Sequence, residues 1–272
     1  HRQSGGGAGM KAYSATDLAL LSRHIIGTPV DQDYDQKNRL LYIIRDDGRF
    51  ATLTVFRAEQ VSAWTLHETE GLAKAVCVVG EEVYLLVNRN GTYTIELFDG
   101  ALNTDSALTG TAGSPTTNWS GLTHLEGKTV NVIGDSIVQG NETVTSGAVT
   151  IDTAASTVEI GLPYTHIIEP LPPSAVGGAG GARKTRLIEA TFRLKDTAAM
   201  RLDVGQGAYD VSLRQFGEDE ILDAPAPLVS GDIPVRALGW AKDGTQSLWK
   251  IEQAIPLPFT LLSVTAELKV ND

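Results

Sequence analysis

Residues 121–164 read GLTHLEGKTVNVIGDSIVQGNETVTSGAVTIDTAASTVEIGLPY, and their reading decides the fold. Short β-rich runs alternate with turn residues throughout. Residues 129–133 form the first run, Gly134, Asp135 and Ser136 a turn, and Ile137 and Val138 resume the strand. Another short run covers 142–144, closed by Ser146 and Gly147. Residues 148–151 follow, then a polar connection, then 157–160, stopped by Gly161 and Pro163. Period-two alternation bounded by Gly, Asp, Asn and Ser is the pattern of strands and tight turns.

The same stretch holds Gly-Asp-Ser-Ile at 134–137, the opening of a lipase/esterase pattern whose serine follows a strand. A hydrolase acting through Ser136 needs a downstream Asp-x-x-His to supply a base. Only His166 lies beyond Ser136, that pattern is absent, and the chain runs into another strand where a helix is needed. A Gly-Asp turn is the favoured reading. No catalytic residue is assigned, and the Ser136 hydrolase stands as an alternative.

Upstream, residues 36–100 read almost wholly as strand. The segment LYIIRDDG at 41–48 aligns with YLLVNRNG at 84–91, an offset of 43 residues. A period of about 40–45 residues with four strands per unit marks a β-propeller. Two units cannot close a ring of the usual four to eight or so blades, so either the remaining blades lie upstream of a chain that is a fragment of something longer, which is the favoured reading, or the repeat is two stacked sheets. Its first residue is His1, and residues 1–12 form a Gly-rich tail expected to be flexible. Residues 14–27 predict the one helix. Ser14, Thr16 or Asp17 caps it, Leu18, Leu21 and Ile25 recur at helical spacing, and Gly27 ends it.

The resulting organisation is a tail (1–12), a helix with two propeller-like repeats (13–100), a Ser/Thr/Gly-rich linker loop (101–120), a small β module (121–170), a mobile Pro/Gly linker (171–182) and a C-terminal β module (183–272). In the last module, strands are expected over 183–196, 200–204, 208–213, 247–252 and 259–270, with a loop over 221–233. The fold class is mainly β: partial propeller-like sheets followed by small sandwich or barrel modules, with one N-terminal helix.

Composition narrows the function. The 272-residue chain carries a formal charge of −11, which disfavours a basic face that grips nucleic acid and is compatible with a wall past which DNA slides. Cys77 is the one cysteine, so no internal disulfide forms; within AVCVV at 75–79 it reads as a buried thiol. No apolar run approaches the roughly 18 residues of a membrane span. The histidines at 1, 24, 67, 124 and 166 lack zinc spacing. Residues 31–35 (DQDYD) resemble the start of a calcium loop without its glycine and final glutamate, and read as a solvated acidic turn. No phosphate-binding glycine motif lies between a strand and a helix. No cofactor or metal is assigned.

Several pieces in order resemble one family. AWTLHETEG at 63–71, AVCVV at 75–79 and EVYLLVNR at 82–89 look like the propeller-blade segment of tail nozzle, or tail stabilisation, proteins of short-tailed bacteriophages (tail tubular protein B-like). GLTHLEGKTVNV at 121–132 with GLPY at 161–164 is similar to the segment that follows. GDIPV at 231–235 and Trp240, before PLPFTLLSV at 256–264, complete the pattern. The resemblance covers about residues 13–270 and implies a C-terminal fragment or truncated relative. It implies a ring, commonly a hexamer, below the portal and adaptor, around the DNA exit channel. The partners are then copies of the chain, neighbouring tail and portal-adaptor proteins, and DNA that passes without sequence-specific binding. The location is the virion of a phage or prophage, and the host cytoplasm during assembly. The residues expected to matter are packing residues: Trp64, Tyr84, Trp119, Tyr164, Trp240 and Trp249. A carbohydrate-binding β module that reads a host surface is the remaining alternative.

Overall fold

A computed structural model describes residues 18, 22–56, 61–172, 185–213, 224–236 and 247–270. The predicted tail over 1–12, the 173–182 part of the Pro/Gly linker and Trp240 lie outside the described residues. The chain is mainly β, with several antiparallel sheets and one short helix. It divides into two compact units, His1–Asp99 and Gly100–Asp272.

In the first unit the predicted helix is described only as one turn, α1 (Arg23–Ile26). Residues 14–17 and 19–21 lie outside the described residues. Ser22, at φ −126°, is non-helical, so among the described residues the helix is this turn alone. Gly27, at φ 58°, ends it as the sequence predicts. Arg45 covers its last carbonyls: the buried guanidinium donates to the Ile25 carbonyl at 2.6 Å and to the Asp47 carboxylate at 2.8 Å.

Two antiparallel meanders follow. β1 (Pro29–Asp35), β2 (Leu40–Arg45), β3 (Phe50–Phe56) and β4 (Val61–His67) form the first in sequence order. β5 (Leu72–Val79), β6 (Glu82–Arg89) and β7 (Thr92–Leu97) form the second. The two sequence segments offset by 43 residues occupy equivalent places, each running along a strand into a hairpin turn. The facing surfaces share one core: Tyr42, Ile44 and Phe50 from the first sheet meet Ala73, Val76, Val83, Leu85 and Val87 from the second. On the far side of the first sheet Ile43, Ala51 and Leu53 are buried too. There α1 lies against β3 and β4, and Trp64 Nε1 donates to the Leu18 carbonyl at 3.0 Å.

The two sheets are also joined through the acidic run. Residues 31–35 belong to strand β1, where the sequence reading has a solvated turn. Strand alternation puts Asp31 and Asp33 on one face. Their carboxylates accept from the edge amides of Val76 (2.9 Å) and Val78 (2.7 Å) on β5. Spacing of two on one strand thus matches spacing of two on the other.

The second unit opens with β8 (Asp105–Ser120), a 16-residue strand where the composition reads as a linker loop. Its threonines are β-branched and suit a half-exposed strand. Pairing with β11 supplies the backbone partners that low hydrophobicity conceals in the sequence. β9 (Thr129–Gly134), β10 (Ile137–Thr143) and β11 (Ala148–Leu162) complete a sheet in the order β10-β9-β11-β8. The runs 148–151 and 157–160, with their polar connection, are one strand. Its register slips between Thr150 and Thr157, which lets Val149, Ile151, Val158 and Ile160 enter one core with Trp119, Leu122 and Leu125. Gly110 packs under Trp119: a Cβ there would lie 2.8 Å from the indole ring.

β12 (His166–Ile168), β13 (Thr185–Thr197), β14 (Arg201–Asp203), β15 (Tyr209–Asp210), β16 (Val229–Arg236), β17 (Lys250–Gln253) and β18 (Leu261–Val270) form two sheets, β12-β17-β14-β15 and β16-β13-β18. Leu187, Phe192, Leu194, Met200, Leu202, Val235 and Ile251 give them a common core, and Trp249 sets its edge on Phe192 at 5.4 Å. β16 begins at Val229, inside the stretch predicted as loop. Pro234 breaks the strand pattern in sequence, yet β16 is an edge strand, where a residue lacking an N–H is tolerated. Among the described residues no sheet closes into a barrel.

Removing an acceptor from the β1–β5 joint leaves a backbone donor unpaired beside a buried residue. Asp31→Ala and Asp33→Ala are each expected to lower stability by about 1–3 kcal/mol, read as a shift in urea midpoint. Asp→Asn, which keeps an accepting oxygen, is expected to lose less. Equal losses for Ala and Asn variants would contradict this assignment.

Candidate functional site

Gly134-Asp135-Ser136 is the tip of the β9–β10 hairpin. Gly134 and Ile137 pair directly, leaving a two-residue turn in which Asp135 and Ser136 have φ of 47° and 66°. Positive φ at both central positions is what a type I′ hairpin turn requires. The Asp135 carboxylate is committed to the neighbouring strand: it accepts from the N–H groups of Ser156 (3.0 Å) and Thr157 (2.8 Å) and from Thr157 Oγ1 (2.9 Å). These donors, the Ser156 amide first, hold its carboxyl below the ordinary range. His166 sits in a different sheet, its ring stacked on Phe259 at 5.0 Å, and burial lowers its pKa. No hydrogen bond joins Ser136 to His166.

Other charged groups are likewise engaged with the chain. Glu126 accepts from the amides of Ser146 (2.9 Å) and Gly147 (2.6 Å) and so closes the turn before β11. Glu159 accepts from the Asn103 amide (2.7 Å) and Thr104 Oγ1 (2.8 Å). Arg89 forms a two-pronged pair with Glu96, at 2.7 and 2.8 Å. Asp203 Oδ1 receives the amides of Gly205, Gln206 and Gly207. That loop, with Val204, Ala208, Tyr209 and Arg236, lines an open concavity of about 350 Å³. Among the described residues no group of three His, Cys, Asp or Glu is placed to hold a metal.

Several of the described motif residues behind the family resemblance have architectural positions. Trp64 anchors the segment before α1 through the Leu18 carbonyl. His67 stacks on Phe50 at 4.7 Å with rings 6° apart, and its Nε2 lies 2.9 Å from Thr52 Oγ1. In Leu-Glu-Gly, Leu125 is core, Glu126 closes a turn, and Gly127 takes φ 74°. In Gly-Leu-Pro-Tyr, Gly161 passes so close to Thr104 that a Cβ would meet its Oγ1 at 2.5 Å, and Leu162 is core. Of the other packing residues, Trp119 and Trp249 lie in or against cores, Tyr164 is 43% exposed, and the Tyr84 hydroxyl donates to Glu82.

One surface was not foreseen. Cys77, expected to be buried, is exposed. An uninterrupted apolar run reads as a strand covered on both faces, but a bulge at Lys74 turns Val76 inward and Ala75 and Cys77 outward, onto the uncovered face of the β5–β6–β7 sheet. Ala75, Cys77 and Val79 share that face with Leu86 and Tyr84 of β6 and with Tyr93, Ile95 and Leu97 of β7. Ile95 is 75% exposed, Val79 60% and Tyr93 59%. The alternation of Tyr93, Ile95 and Leu97 in TYTIEL was the available signal.

No protein-family model matches this chain, and no curated protein matches it in sequence.

Two predictions separate a turn and a core from a reactive site. Ser136→Gly removes the strain of a left-handed non-glycine residue and is expected to raise stability by about 0.5–1 kcal/mol, measured by thermal or urea unfolding. A nucleophilic Ser136 would instead reveal itself as ester hydrolysis abolished by the change.

Burial drops the His67 pKa from 6.5 to about 4. The unfolded chain thus binds a proton below pH 6.5 that the folded chain refuses until about pH 4. Stability is full above pH 7 and falls across this window by at most about 1.4 kcal/mol per pH unit. His67→Phe, which keeps the stack on Phe50, is expected to flatten that part of the stability–pH curve. An unchanged slope would rule the histidine out.

Proposed function

We propose that this chain is a structural component of a bacteriophage or prophage tail, a nozzle-like protein that assembles with copies of itself around the DNA exit channel. The observation that carries this reading is the employment of the motif residues. Trp64, His67, Leu125, Glu126 and Gly161 anchor a segment, stack in a core, close a turn or permit a close approach. Residues used in this way hold an architecture, and the assembly reading rests on their order along the sequence, which resembles that of tail nozzle proteins.

Charge supports the same reading. At −11 the chain repels phosphate, which suits a channel wall that DNA must pass without sticking. The two meanders, related by the 43-residue offset, are the blade-like units of this proposal. The neighbours are then further copies in a ring and the adjoining tail and portal-adaptor proteins, and the location is the virion.

The test is the mass and shape of the purified protein, by light scattering and negative-stain electron microscopy, alone and with portal-adaptor proteins. The expected outcome is a closed ring with a central opening, formed alone or on the adaptor. A protein that stays monomeric under both conditions overturns the reading.

A further inference from the structure

We propose that the uncovered face of the β5–β6–β7 sheet is a self-association surface whose occupant is a second copy of this chain. The inference rests on the assembly reading above and names the surface through which assembly occurs.

The first argument is size. Val79 (60% exposed), Tyr93 (59%), Ile95 (75%) and Leu97 (48%) adjoin the exposed Cys77 and the half-buried Tyr84 and Leu86 on one contiguous face. Single exposed apolar residues are ordinary, but a contiguous patch of this size marks an interaction site.

The second argument is charge. Copies of a chain at −11 repel one another over most of their surfaces. Among the described residues the one acidic side chain on this face is Glu82, at the margin, and its carboxylate already accepts from the Tyr84 hydroxyl. Here two copies meet without opposing like charges. A basic partner would find little to pair with.

The third argument is the treatment of the sheet's two edges. The β5 edge is guarded, its Val76 and Val78 amides held by Asp31 and Asp33. The β7 edge has no neighbouring strand among the described residues and carries Tyr93, Ile95 and Leu97 beside it. Exposed apolar edges invite pairing with another chain, and proteins blunt the ones they do not use. Guarding one edge with carboxylates while leaving the other apolar fits a surface kept for a partner.

The test uses the full chain. Ile95→Asp and, separately, Tyr93→Glu place a charge on the face at positions that make few contacts within the chain, and an unchanged unfolding curve checks that each variant folds. Both are expected to weaken association about tenfold or more in sedimentation. Cys77 supplies a second reading without mutation: its alkylation by a bulky maleimide is expected to slow as the concentration of wild-type protein rises into the associating range.

The outcomes separate the two proposals. A ring that persists in both variants, with Cys77 equally reactive when assembled, overturns this surface and leaves the ring standing. A wild-type dimer that the variants dissociate upholds the surface and overturns the ring. Cys77 protection that is independent of concentration means the rest of the same chain covers the face, and overturns it. A strictly monomeric protein overturns both.

Discussion

Two carboxylates on two backbone amides hold the first unit together. Strand β5 is an outer strand of its sheet, so its outward N–H groups lack a ladder partner, and leaving them unpaired beside the core of Tyr42, Val76 and Val83 costs their desolvation. Asp31 and Asp33 supply the partners because their spacing along β1 equals the spacing of Val76 and Val78 along β5. A buried donor left without a partner weighs more than an average hydrogen bond contributes, so the joint is specific in register as well as favourable.

The same device recurs in the second unit. Asp135, Glu126, Glu159 and Asp203 each receive amides where a strand turns or a neighbouring loop stops. This explains how a chain with 33 acidic residues is built from sheets without being driven apart by them. Part of the negative charge is bound to the partial positive charge of backbone N–H groups. It also gives motifs that look chemical a mechanical use. A carboxylate that accepts three donors, as Asp135 does, is held ionised and oriented, and it is poorly placed to act on anything else.

The mainly β class was legible because alternation and turn residues are local signals. LYIIRDDG carries a strand run and its turn, GDS a turn and FTLLSV a strand run, and they lie where a hairpin, a turn and most of the last strand form. What escaped was decided by partners distant in sequence. The polar run of β8 becomes a strand only because β11 lies beside it. Pro234 hides β16 until it is known that β16 is an edge. The run 31–35 looked like a turn because carboxylates are depleted from strands, and the amides that justify them are 45 residues away. Helical spacing over 14–27 runs through Ser22, whose own backbone is non-helical.

Cys77 is the most informative miss. Sequence pattern tells which residues alternate, not how many faces of a sheet are covered. AVCVV is apolar on both faces, which ordinarily means two layers of neighbours. Here the inner face has its layer in Tyr42, Ile44 and Phe50, and the outer face has none within its unit's described core. An apolar strand pattern on an uncovered face is a disagreement between sequence and monomer. Such disagreements concentrate at functional surfaces, because stability of the isolated chain alone would favour polar residues there. The position of Ile95, apolar and three-quarters exposed, is therefore better explained by what the chain joins than by how it folds.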